Sequence, residues 1–307
     1  MSWTAFRIIA VWVLLMAGGL QASAQTAEPS ESVTVSGNKL RTQFHQFLDR
    51  FVTPAPFSGK IARWERRICP LVVGQNPDAN AFIRQRVKTI ALAAGARINP
   101  DATCKPNIEI VFTTTPQALL DNVRQHATDY LGYAESNAEL QKLATVTRPI
   151  EVRYTTETQY NNGMREVDSD IMSGVSADMM FLHPIGASYS SGWRINDGMQ
   201  SGFNHIMIVI DSTKMAGQKI VPLADYISML ALTQLNSQDA CQQLQPSIVN
   251  MMAAGCERPV DSLTEYDLAY LQGVYRMSAG RGMMYQRNDI AAIMTDKLIG
   301  QPMNGRQ

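Results

Sequence analysis

The residues of this chain whose types could do chemistry are few and scattered. Four histidines occur in 307 residues, and no two stand at the i, i+4 spacing that sets two imidazoles on one helical face for a metal ion. A three-ligand site would have to be gathered from separated positions, with His183, His205 and Asp211 as the available set; a hydrogen-bonded structural or surface role is the alternative for each. Serine hydrolysis has no G-x-S-x-G elbow to work from, and the nearest serine cluster, Ser188-Tyr189-Ser190-Ser191-Gly192, reads as turn chemistry. Seventeen methionines offer thioethers that suit Cu(I), but they are dispersed through apolar segments and read as gap-filling core residues. The clearest basic cluster is Arg63-Trp64-Glu65-Arg66-Arg67, in which Arg63 and Trp64 are candidates for binding an anionic glycan or phosphate. Its alternative is a solvated edge strand whose tryptophan packs inward. Phosphate loops, calcium loops and repeats are absent from the sequence. With a formal net charge of zero, no long-range field recruits nucleic acid or anionic lipid.

These residues must be positioned by one exported domain. Arg7, an apolar run over residues 8–20 and Ala22-Ser23-Ala24 read as a signal peptide over residues 1–24, too short to span a bilayer. The expected product is periplasmic or secreted, with no transmembrane segment. Four cysteines in an exported chain favour two disulfides over zinc, for which no C-x-x-C spacing exists. Of three pairings, Cys69–Cys104 and Cys241–Cys256 are preferred because each joins neighbouring elements within one half of the chain.

In order, residues 25–39 read as a flexible leader, 40–300 as a single α+β domain with an N-terminal part to 220 and a C-terminal part from 221, and 301–307 as a tail. Leu40, Phe44, Phe47, Leu48 and Phe51 predict an amphipathic helix. A strand-like pattern covers residues 60–73. Asn76-Pro77-Asp78 opens a helix that Gly95 ends, residues 108–112 form a buried strand, and Thr115-Pro116 opens another helix. Residues 149–159 alternate as a half-exposed strand before an Asn161-Asn162-Gly163 turn. A long Gly- and Ser-rich stretch from 164 to 204 reads as a functional loop, and 205–211 as the most convincing strand.

The stretch that organises the rest runs from 221 to 277. Leu223, Ile227, Leu230, Ala231 and Leu235 recur at helical spacing, and Tyr226, Met229 and Leu232 fill the remaining circumference, so residues 223–235 predict a core helix. Cys241 and Cys256 then bracket Ser247-Ile248-Val249-Asn250-Met251-Met252. Ser262 with Glu265 predicts a capping box opening a helix through Leu268, Leu271, Val274 and Tyr275, with Gly280 and Gly282 beyond it.

This order resembles the C-terminal half of metzincin-type zincin metalloproteases, in which a buried helix carrying HExxHxxGxxH is followed by a Met-containing turn and a closing helix. Residues 247–252 look like the Met-turn and Leu263-Thr264-Glu265-Tyr266-Asp267-Leu268-Ala269-Tyr270-Leu271 like the closing helix. The resemblance places Ala224 and Ser228 at the first two histidines, Asp225 at the glutamate and Gln234 at the third ligand, a set that is poor in metal donors. It is similar to a family of secreted bacterial proteins of zincin-like organisation with no assigned activity.

The resemblance implies a zincin-like fold, a mixed sheet packed on helices with a buried central helix and a Met-turn-like segment, without a metal cofactor. It further implies an open edge at the strand over 206–210 or its neighbour. The function implied is that of a non-catalytic binding or structural module of the cell envelope. An extended peptide or other envelope component would lie between that strand and the core helix, in a cleft lined by Asp225, Ser228 and Gln234. Asp225 is the one catalytic candidate, yet without zinc it has no activated water, and a hydrogen-bond acceptor is its plainer role. The alternatives are a secreted metal-dependent hydrolase or peptidase with ligands displaced to His183, His205 and Asp211, and an envelope interaction protein acting through residues 63–67.

Overall fold

A computed structural model describes residues 30–168, 198–235, 241, 246–253, 256 and 260–299, with side chains from Gly37 onward. The proposed signal peptide, His183, the serine cluster at 188–192 and most of the long Gly- and Ser-rich stretch lie outside the described residues. The chain is α+β; among the described residues five strands form one mixed sheet, with seven α-helices. Strands β1 (Pro70–Val73), β2 (Ile108–Thr113), β3 (Ile150–Tyr160), β4 (Arg165–Val167) and β5 (Met199–Asp211) lie in the order β1-β2-β5-β3-β4. β1, β2 and β5 run parallel; β3 is antiparallel to both β5 and β4.

The sheet is covered on both faces because β5 is apolar on both. Side chains alternate across a strand, so Ile206, Ile208 and Ile210 enter the main core with Ile108, Ile110 and Phe112 of β2, while Met207 and Val209 enter a smaller core on the other face. The smaller face is roofed by α3 (Pro116–His126), a 3-10 turn over Thr128–Leu131 and α4 (Asn137–Leu143), through Leu120, Leu131 and Ala144. The main face carries α1 (Ser30–Phe51), α2 (Pro77–Ala94), α5 (Ile220–Leu232), α6 (Glu265–Arg276) and α7 (Met283–Ile299). α5 packs on α2 and β5, α6 on α7 and α2, and α1 on α7.

Local signals set several boundaries. α2 starts where Asn76 Oδ1 accepts from Ala79 N at 2.8 Å and ends at Gly95, φ +101°, whose N–H closes on the Ala91 and Leu92 carbonyls. Pro222 through Leu232 are all buried, as expected of a helix apolar on every side. Gly74, φ +94°, ends β1 where a Cβ would stand 1.9 Å from the Phe112 carbonyl oxygen, so only glycine lets β1 and β2 close up there. Both expected disulfides form, Cys69–Cys104 and Cys241–Cys256, an arrangement proper to an oxidising compartment. Among the described residues no helix is long and apolar enough to cross a membrane.

Other expectations need correction. α1 begins at Ser30 rather than near 40, because once its amphipathic half is docked each further turn adds a hydrogen bond per residue fixed, even through polar sequence. Only Pro70–Val73 of the stretch 60–73 is strand; the rest makes single bridges, Arg63 to Gly202 of β5 and Ile68 to Ile98 after α2. β5 is thirteen residues long and lies between β2 and β3, so it presents no open edge. Its neighbour β3 does keep one in part, since β4 pairs only with Glu157, Thr158 and Gln159.

Candidate functional site

The core helix ends sooner than its apolar pattern suggests. α5 stops at Leu232 because Thr233 turns into extended geometry, its hydroxyl 2.7 Å from that of Tyr270, and Leu235 then bridges to Val52. Gln234, placed by the resemblance as a third ligand on the helix, therefore lies beyond it. It lines a small cavity with Thr53 and residues 151–154 of β3, a cavity Asp225 does not line.

Asp225 and Ser228 are fully buried on α5 and face packed protein rather than a cleft. The Asp225 carboxylate grips the Arg86 guanidinium of α2 through Nε and through Nη2 at 2.9 Å, and accepts the backbone N–H of Leu263 at 2.6 Å. One side chain thus ties α5, α2 and the approach to α6. Ser228 Oγ donates 2.6 Å back to the Ala224 carbonyl, the turn below it. Both are fully buried and bonded within the fold, so neither is presented to a cleft.

The Met-turn-like segment is a 3-10 turn over Ile248–Met252, held to α6 by Asp267. That carboxylate accepts from the Ser247 hydroxyl, from Ile248 N at 2.9 Å, and from Thr264 N and Oγ1 at 3.0 and 2.8 Å. The capping box is Thr264 with Asp267, two residues on from the expected Ser262 and Glu265, because only Asp267 can also reach the turn. Burial pushes the Asp267 carboxyl above its ordinary range, against the pull of these four donors.

The remaining candidates are not brought together. His205 and Asp211 lie six residues apart on β5, about 20 Å at 3.3 Å per residue, so they cannot share an ion. Asp211 instead closes the turn after β5, accepting from Thr213 N and Oγ1 at 3.0 and 2.6 Å and from Lys214 N at 3.3 Å; these bonds, the Thr213 hydroxyl first, lower its pKa. Among the described residues no group of three or more His, Cys, Asp or Glu side chains is placed to hold a metal. Arg63 and Trp64 both turn inward, and the segment they stand in is not a strand. Arg63 Nη1 caps the end of α6 at the Tyr275 and Met277 carbonyls (3.1 and 2.9 Å), and Trp64 Nε1 donates 2.8 Å to the Ala231 carbonyl of α5. Arg66 and Arg67 point outward.

Among the described residues two larger cavities have room for a ligand. The first, about 700 Å³, lies outside the carboxyl ends of β1, β2 and β5, the usual ligand position of an open sheet with parallel strands. It touches the first turn of α5 at Ile220 and Leu223, and its polar lining is Gln75, Thr113, Thr114, Ser212 and Gln218. None of its lining side chains is an acid or base, so it can bind but offers no proton-transfer group. The second, about 460 Å³, lies on the α3 face and gathers Arg66, Arg67, Lys105 and His205. Lys105 and its neighbours were not singled out in the sequence; the one available signal was Cys104, whose disulfide to Cys69 carries Lys105 to the Arg66-Arg67 segment.

Beside this second cavity, Asp168 is buried against β3, accepting from the Thr156 hydroxyl and from Thr158 Oγ1 at 3.0 Å. Burial outweighs these donors and raises its pKa. A carboxyl raised on folding stabilises fully below its unfolded value and loses that contribution as pH rises through the folded one. Urea unfolding of the wild type and Asp168→Asn from about pH 4 to 7 is therefore expected to show the wild type losing stability relative to the variant with rising pH. A difference constant across that window would contradict the assignment.

No protein-family model, curated protein or solved structure matches the chain.

Proposed function

We propose that the chain is a non-catalytic exported protein of zincin-like architecture, a binding or structural module of the cell envelope. The observation that carries this reading is the state of Asp225. At the position a zincin gives to its general base, the carboxylate is buried and its oxygens are taken by Arg86 and by the Leu263 N–H. A base needs hydrogen-bond reach to the proton it removes, and here that reach is used to join three segments of the fold. Ala224 and Ser228 support the same reading, one without a donor atom and the other bonded to its own helix.

The zincin-like order remains in the buried helix, the 3-10 turn and the capped closing helix. In this reading they serve as a rigid frame under a binding surface. The ligand is an extended peptide or another envelope component, and the open outer edge of β3 and the cavity at the strand ends are the surfaces that suit it. The direct test is to incubate the purified protein with casein and with a mixed peptide library and to read new termini by mass spectrometry. The expected result is none above buffer; chelator-sensitive cleavage that Asp225→Asn abolishes would overturn the reading.

A further inference from the structure

The cavity on the α3 face holds more built polar structure than a solvated surface needs. We propose that it is a binding site for a small oxyanion-bearing ligand, a phosphate or carboxylate carried on a polar, sugar-sized body. Exposed cations alone would be weak support, since surface charges are largely answered by water. What distinguishes this place is its floor.

Asn107 is the hub of that floor. Its Oδ1 accepts from Cys69 N at 2.7 Å, its Nδ2 donates to the Arg67 carbonyl at 3.0 Å, and its own carbonyl accepts from Ile206 N at 2.9 Å. Three segments distant in sequence are joined there, and the Cys69–Cys104 bridge fixes Lys105 beside them. Above the floor the β3–β5 register slips by one residue. Thr155 faces His205 while Thr156 faces Phe203, so Asn204 is the extra residue of a β-bulge, a device that re-aims side chains beside sites.

His205 follows the bulge and lines the cavity at 8% exposure, with neither ring nitrogen hydrogen-bonded. Glu109 Oε1 stands 3.6 Å from Nε2, outside hydrogen-bond range, and the Tyr130 ring meets the imidazole edge-on at 4.3 Å between centroids. A buried imidazole held only by a loose 3.6 Å contact to a carboxylate, close enough to lower the Glu109 pKa, is under-bonded, and a ligand in the cavity would complete its bonding.

The charges around it leave a cation over. Glu157, buried behind, is answered twice, by Arg66 at 2.5 and 3.2 Å and by Arg165 at 2.7 Å. Among the described residues Arg67 and Lys105 have no ion-pair partner, and Arg67 makes only a 3.4 Å bond to the Ile98 carbonyl. Against them stand Asp129 of the lining and Glu109 beside His205, so that with Arg66 and Arg165 set against Glu157 one positive charge remains over. A guanidinium, an ammonium, an imidazole and two amide side chains around about 460 Å³ suit an oxyanion on a body small enough for a compact pocket.

This inference rests on reading the chain as a binding module and adds to the peptide surfaces a separate small-ligand site. The full chain would be titrated by calorimetry with glucose 6-phosphate, glucuronate and glucose, alongside the Arg67→Ala/Lys105→Ala double variant and His205→Phe. At least one anionic sugar is expected to bind while glucose stays silent. Binding of the phosphate alone or of the carboxylate alone identifies the source, and binding of both identifies the shared charge. The double variant should melt as the wild type does and bind about tenfold or more weakly, and His205→Phe should weaken binding as well. Silence of both anions, equal binding of glucose, or full affinity in the double variant would overturn the proposal. Chelator-sensitive peptide cleavage would instead remove the non-catalytic reading while leaving this affinity in place.

Discussion

Asp267→Ala is expected to cost about 3 to 5 kcal/mol of folding stability, the largest loss of any single substitution considered. The variant strips one fully buried carboxylate of its bonds to Ser247, Ile248 and Thr264. Two backbone N–H groups lose their acceptor, the capping box of α6 loses one half, and the 3-10 turn is no longer fastened to the helix beneath it. Each orphaned buried donor costs about 1 to 3 kcal/mol, and a lost cap about 1. Ser247→Ala removes a hydroxyl that donates to Asp267 and accepts from Val249 N at 3.3 Å, and should cost less, about 1 to 2 kcal/mol. Denaturant unfolding of both variants measures the difference. A mild Asp267→Ala would mean that the turn and α6 are not held through this carboxylate.

The second large effect belongs to Arg86. Arg86→Ala leaves the fully buried Asp225 without its charged partner, and breaking a buried pair from one side costs about 3 kcal/mol or more. Asp225→Ala should cost less, about 2 kcal/mol, because the Arg86 side chain is about one-third exposed and can turn to water. The double variant should recover part of the loss, so that the cycle gives a favourable coupling between the two residues. This separates the structural role from a catalytic one. A base held ready for chemistry is commonly replaced without loss of stability, or with a gain. Unfolding at neutral pH of the two single variants and the double variant decides between them, and an Asp225→Ala as stable as the wild type would count against the proposed function.

What the sequence makes legible follows from how local its causes are. Asn76, Pro77 and Gly95 delimit α2 because caps act within one turn of chain. The all-apolar circumference of α5 announced its burial, and the alternation of 149–159 announced β3, although that strand is more buried than half because the 3-10 turn over Thr128–Leu131, the end of α4 and the main core close over it. The errors came where a distant residue decided. Ser262 with Glu265 and Thr264 with Asp267 fit one capping pattern; Ser247 and Ile248, some twenty positions upstream, select the second. Leu235 completes the apolar stripe of α5 but is drawn off by Val52.

Two helices carried signals too mixed to read. α7 buries Gln286, which accepts from Ile61 N at 2.8 Å and donates to the Ala279 carbonyl at 2.9 Å, so a polar side chain sits in its core face. α4 is seven residues with none buried. The binding cavity was the least legible part. Arg66 and Arg67 stood in a motif that drew attention to Arg63 and Trp64 instead, whereas Lys105, Asn107, Tyr130 and Asn204 come from segments that meet only through the disulfide, the sheet register and the bulge.

The central claim, that the frame proposed to be zincin-like has no metal chemistry at α5, is tested most directly by the metal content of the purified protein. Elemental mass spectrometry after dialysis, with thermal melting run with and without a chelator, is expected to find zinc far below one equivalent and a melting temperature indifferent to the chelator. One equivalent of retained zinc whose removal lowers the melting temperature would contradict the account.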